Sequence, residues 1–182
     1  MSLTSMLISW IVVFYMITFA GATTSCRTAD GQYDVIVNYR GKTGPETPKS
    51  RVIAFYAFMS KSITSPGVGR RLVFDVMKTN QGGGYNSHTG VFTCPKTGTY
   101  VFVWVVRLGS AYHSFELMIN NSVYGSTHLY NNGTGGSVSG TVVAHVSKGE
   151  SVYVRAHSSY KGSGVINSDT NGRTAFSGWL LN

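Results

Sequence analysis

The sequence predicts an all-β fold, a sandwich or jelly roll, from three observations. From Arg51 onward, short apolar runs are separated by Gly, Asn, Ser and Pro, the mark of many short strands joined by turns. No segment sustains a helical period. One run, "TYVFVWVVRL", is apolar on both faces, which predicts a central strand covered from both sides.

The runs, in order, are "RVIAFYAFM", "RLVFDVMK", "GVFT", "TYVFVWVVRL", "SFELMIN", "GTVVAHV", "SVYVRAH" and "TAFSGWLLN". In "SVYVRAH" the alternation is clean: Val152, Val154 and Ala156 share one face, Tyr153, Arg155 and His157 the other. In the central run Tyr100, Phe102, Trp104 and Val106 oppose Val101, Val103 and Val105. The last run sets Phe176 and Leu180 against Trp179 and Leu181. A two-layer sandwich wets one face of each sheet, so two-sided apolar strands call for another surface, most simply an identical subunit.

Residues 1–25 carry no side-chain charge, and the apolar stretch ends in "AGA". That pattern reads as a secretory signal, residues 1–22, with a retained anchor as its rival. Residues 23–50 read as a polar arm or linker and 51–182 as the globular domain; nothing after the signal is long and apolar enough to span a membrane. The arm's "GKTGPE" fails the collagen period at Thr47. The net charge of +8 is dispersed, with Arg70-Arg71 the longest basic run, which argues against a nucleic-acid arm and leaves anionic surface ligands as candidates. Cys26 and Cys94 are the two cysteines. A buried Cys94 thiol, a Cys26 bridge between subunits and a Cys26–Cys94 pair are all compatible with an extracellular chain. Asn120 and Asn132 head glycosylation sequons.

The glycines of "NQGGGYNSHTG" raise the question of a phosphate cradle. A phosphate loop needs a glycine where Ile36 stands before Gly41-Lys42-Thr43, and "GGGYN" has no lysine. Gly82, Gly83 and Gly84 are therefore expected to supply positive φ in a tight reversal, with Asn80 and Asn86 capping backbone groups. Gly98 is expected to serve the next turn in the same way.

The stretch "RRLVFDVMKTNQGGGYNSHTGVFTCPKTGTYVF", with the terminal "FSGWLL", resembles the globular head domain of the complement C1q family. Phe74, Asn80, Gly82, Tyr85, Asn86, Thr89, Gly90, Phe92, Pro95, Gly98, Tyr100, Phe102, Phe176, Ser177 and Gly178 occupy the family's pattern over residues 52–181. The resemblance implies a ten-stranded jelly roll of the type shared with tumour necrosis factor, assembled as a homotrimer, with Tyr100, Phe102, Trp104, Phe176 and Trp179 in its core or trimer contacts. Some members bind calcium through acidic apical loops. Here the corresponding positions are Asn131, Asn132 and Asp169, a poor set for a hard cation.

Catalysis finds little support. The acidic residues form no pair on one strand face, no G-x-S-x-G elbow occurs, and the histidines lack metal-ligand spacing. A non-enzymatic recognition surface is the natural use, and Tyr112, His113, His128, Tyr130, Arg155, His157, Tyr160 and Lys161 are its candidates: rings to stack on sugars, cations for acidic groups. The expectation is a secreted, trimeric pattern-recognition lectin of innate immunity for microbial glycans or lipopolysaccharide. A cytokine-like receptor ligand and a matrix protein are the alternatives.

Overall fold

The computed structural model describes residues 52–109, 111–131, 133 and 135–181, together with two short N-terminal strands. These two, β1 (Thr24–Arg27) and β2 (Asp34–Val37), pair antiparallel in a unit separate from residues 50–182. The expected signal segment lies outside the described residues.

The remaining strands are β3 (Ala54–Phe58), β4 (Ile63–Thr64), β5 (Val76–Gln81), β6 (Tyr85–Asn86), β7 (Val91–Thr93), β8 (Gly98–Leu108), β9 (Ala111–Ile119), β10 (Ser122–Asn131), β11 (Gly136–Val146), β12 (Ser151–Ala156), β13 (Val165–Asn167) and β14 (Ala175–Leu180). They form two antiparallel sheets. One has five strands in the order β10-β9-β12-β7-β6; the other has seven, β4-β13-β8-β14-β3-β5, with β11 also paired to β8. Setting aside the two-residue strands β4 and β6 leaves ten, and the sandwich is a jelly roll. Among the described residues there is no helix, and so none long and apolar enough to cross a membrane.

Strand β8 bears out its two-sided pattern. Tyr100, Phe102, Trp104, Val106 and Leu108 are buried between the sheets, where Phe55 stacks on Tyr85 at 4.9 Å and on Phe92 at 4.8 Å and meets Phe176 edge-on. Trp179 lies on the opposite, outer face with Val101, Val103 and Val105. The register aligns Trp179, Val101 and Val143 in one row across β14, β8 and β11; Val143 is 61% exposed and Trp179 40%. An apolar band is thus left on the outside of the seven-stranded sheet.

The run "RLVFDVMK" departs from expectation: Leu72 and Phe74 are buried ahead of any strand, and β5 begins only at Val76. In the glycine cluster the reading holds. Gly82, Gly83 and Gly84 all have positive φ. Asn80 closes the loop by exchanging hydrogen bonds with the Tyr85 backbone, and Asn86 Oδ1 accepts from the His88 and Thr89 amides. Gly98 differs, opening β8 opposite Val146 without positive φ. Cys94 is buried, its sulfur 3.1 Å from the Lys96 carbonyl; the Cys26 side chain lies outside the described residues.

Candidate functional site

On β9 the alternation of "AYHSFELMI" decides which side chains reach solvent. Phe115, Leu117 and Ile119 enter the core, so Tyr112, Ser114 and Glu116 stand on the outer face of the five-stranded sheet. The neighbouring strands add to that face in register. Tyr130 lies opposite Tyr112 and His128 opposite Ser114; Arg155 lies opposite Glu116; the His157 amide bonds the Ser114 carbonyl at 2.9 Å.

The rings converge. Tyr112 and Tyr130 stack at 5.9 Å, and Tyr160, from the loop after β12, stands edge-on to Tyr112 at 6.1 Å, to His128 at 5.4 Å and to His157 at 6.5 Å. Tyr130 is 66% exposed, and Tyr112 and Tyr160 are also open to solvent. These flat faces, each with a hydroxyl at its rim, suit a sugar ring whose C–H face stacks while its hydroxyls bond polar neighbours. Ser114 Oγ and His128 Nδ1, 2.8 Å apart, form the floor.

Beside the rings the one carboxylate of this patch is already neutralised. Glu116 is buried, accepts from Arg155 Nε at 2.8 Å and lies 3.3 Å from His157 Nε2. His157 Nδ1 in turn accepts from the Ser159 and Tyr160 amides at 3.2 and 3.1 Å, which turns the loop so that Tyr160 faces the cluster. Arg71 extends the patch, its guanidinium 4.4 Å above the Tyr153 ring. Lys161 follows in the same loop and is exposed.

His113 contradicts its expected exposure. It is 2% exposed, on the core side of β9 with its ring 5.8 Å from Phe115, because it shares the parity of Phe115 and Leu117. Its Nε2 has no hydrogen-bond partner, and burial pushes its pKa down. Sequence reading passed over Ser114, Glu116, Tyr153 and Arg71. The alternation along β9 and β12 carried the signal for the first three.

The calcium candidates do not make a site among the described residues. Asp169 Oδ1 accepts from Arg107 at 2.6 Å and from the Asn171 amide at 2.8 Å, and that amide together with the guanidinium holds the carboxyl below its usual range. Asn131 ends β10 with its side chain outside the described residues, as is the whole of Asn132. No group of three His, Cys, Asp or Glu side chains capable of holding a metal occurs among the described residues. Asn120 takes positive φ in the β9–β10 turn, its amide donating to Glu150 Oε1 and accepting from Ser151.

The family model described as the C1q domain matches residues 54–181. Caprin-2 of Danio rerio is 29% identical over 133 residues, 71% of this chain; the chain spans only 14% of that relative's length. Among solved structures, the globular domain of zebrafish complement 1qA protein superposes with a TM-score of 0.59 at 19% identity, covering 71% of this chain and 98% of that one. Murine APRIL gives 0.52 at 11% identity over 71% and 99%. Eiger TNF from S. frugiperda gives 0.51 at 14% over 72% and 94%. At these identities the structural likeness is one of fold. The match of the family model over most of the chain, on a jelly roll with the expected core, means that the chain belongs to the C1q domain family.

Proposed function

We propose that the protein is a secreted, non-enzymatic, homotrimeric pattern-recognition lectin that binds microbial surface glycans, lipopolysaccharide among them, on the outer face of its five-stranded sheet. The observation that carries this reading is the convergence of Tyr112, Tyr130, Tyr160, His128 and His157, from three separate segments, into one exposed ring cluster. Rings held by register and by a capped turn are preorganised, so a sugar does not have to order them on binding. The exposed apolar band on the other sheet supports self-association, and three rigidly linked weak sites gain avidity on a repeating surface.

A glycan and bacterial-surface array probed with the secreted chain tests the reading. Tyr160→Ala and Tyr130→Ala are expected to weaken sugar binding about three- to tenfold each. A parent protein that binds no glycan, or variants that bind as well as the parent, removes it. The fold likeness to APRIL and Eiger TNF favours one second reading, a receptor ligand; capture of a cell-surface receptor by a chain blind to glycans decides for it.

A further inference from the structure

The turn that joins β9 to β10 carries Asn120-Asn121-Ser122, the spacing that an oligosaccharyl transferase reads. It lies at the opposite end of the five-stranded sheet from the rings, roughly 27 Å along β9 from Tyr112. Residues 120–124 are all exposed. Asn120 has a φ of 52° there, a left-handed conformation that asparagine tolerates better than most residues in a tight turn.

Inside the chain, nearly every hydrogen-bonding group of Asn120 is engaged. Its backbone N–H donates to the Ser151 carbonyl at 2.8 Å, and its carbonyl accepts from the Tyr153 hydroxyl at 3.1 Å. In the side chain, Oδ1 accepts from the Ser151 amide and Nδ2 donates to Glu150 Oε1, each at 3.0 Å. Glu150 is fixed in turn, because its Oε2 accepts from the Ser147 amide at 2.7 Å between β11 and β12. A side-chain amide has two N–H hydrogens, and Glu150 takes one of them. The other has no partner among the described residues.

N-glycosylation replaces one hydrogen of Nδ2 and keeps the second, so this arrangement accepts a glycan without losing a bond. We infer that Asn120 carries an N-linked oligosaccharide. In the transfer, Nδ2 bonds to the anomeric carbon of an oligosaccharide held on a lipid diphosphate. The bond from that carbon to the phosphate oxygen breaks, the lipid diphosphate leaves with the electron pair, and the proton lost from Nδ2 passes to a base of the transferase. The inference rests on the secreted reading, since donor and transferase act in the secretory lumen.

The position has two consequences. Ser151 and Glu150 hold the amide by both its atoms, which gives the glycan a fixed direction of exit. The turn belongs to the five-stranded sheet, so the glycan is not attached to the apolar band of the other sheet, and its first sugars stand clear of the ring cluster.

The full chain, produced in cultured animal cells and collected from the medium, tests this. Glycans are released with peptide-N-glycosidase in heavy-oxygen water, which marks each occupied asparagine for mass spectrometry. Most copies should carry the mark at Asn120, and Asn132→Gln, which removes the other sequon, should keep it. Ser122 is exposed at the start of β10; Ser122→Ala removes the hydroxyl that the transferase needs, leaves Asn120 in place and should abolish the mark, whereas Ser122→Thr should retain it. The urea midpoint of the glycosylated parent should be no lower than that of Ser122→Ala. A secreted chain unmarked at Asn120, or a mark that persists in Ser122→Ala, overturns the inference. A glycosylated parent less stable than Ser122→Ala shows that the sugar displaces Glu150 or Ser151, and overturns the geometry argued for it. A chain that stays in the cytosol ends the secreted reading and the inference together; a secreted, glycosylated chain that binds no glycan ends the lectin reading alone.

Discussion

Trp104 on β8 lies so close to its register partner Gly140 on β11 that a Cβ at residue 140 would come within 2.1 Å of the indole Cζ2. The same ring reaches the opposite sheet, where Nε1 donates to Thr127 Oγ1 at 3.2 Å; a Cβ on Gly125 would stand 3.2 Å from the indole and be crowded more closely by Val142 Cγ2, at 2.6 Å. One buried side chain thus ties the two sheets together, and Gly140 is the clearance it needs. Gly140→Val is expected to destabilise the domain by about 3 kcal/mol or more and Gly140→Ala by about 1–3 kcal/mol, as overpacked cores do. Urea unfolding of the purified protein measures both; a neutral Gly140→Ala shows that the indole has room to move.

His113 makes the stability sensitive to acid. Burial holds its pKa below the usual value in the folded chain, against a weaker opposing bond at the Gly164 backbone. The unfolded chain binds the proton near pH ~6.5, where an imidazole normally titrates. Because the folded pKa is the lower one, the unfolded state holds more protons below that pH, so stability falls as the solution is acidified. The loss levels off once the folded protein is protonated too. Unfolding midpoints measured from about pH 8 to pH 5 should fall toward acid, and His113→Phe, which fits the Phe115 side of the core, should flatten the fall. An equal slope in that variant assigns the acid sensitivity elsewhere.

His157 organises the loop that presents Tyr160. Its Nδ1 accepts two amide hydrogens, so the neutral ring carries its proton on Nε2, toward Glu116. His157→Phe keeps the ring and removes the acceptor. Amide exchange at Ser159 and Tyr160 should accelerate, and sugar affinity should drop about three- to tenfold, with little change in the global unfolding midpoint. Exchange as slow as in the parent would show that the turn holds itself.

How legible all this was in the sequence varied with the element. Strand β8 announced itself because its apolar residues fill both parities, and the glycine cluster because Asn and Gly have few other uses at that spacing. Strand β10 went unread. "SVYGSTHLYN" mixes Gly, Ser, Thr and His without apolar alternation, and its bulge near Gly125 breaks the period. The ring cluster was legible as a set of residues but not as a site, since Tyr112, Tyr130 and Tyr160 meet only through strand register. His113 was misjudged although parity with Phe115 already placed it inside.

The last prediction concerns the apolar band on the seven-stranded sheet. Trp179, Val101 and Val143 form one row, Ser177, Val103 and Thr141 the next, and Ala175, Val105 and Ser139 a third. No charged side chain interrupts these rows, and fully burying each large apolar side chain contributes about 1.5–3 kcal/mol. A face of this kind is expected to be covered by two further copies of the domain. Val103→Glu places a charge in the middle row, where covering it would leave a carboxylate without water or partner. Sedimentation should report a trimer for the parent and a monomer for the variant from micromolar to nanomolar concentration. The monomer should keep single-site sugar affinity while losing agglutination, because avidity needs linked sites and not a changed pocket. A parent that sediments as a monomer at micromolar concentration ends the trimer proposal, and with it the avidity argument.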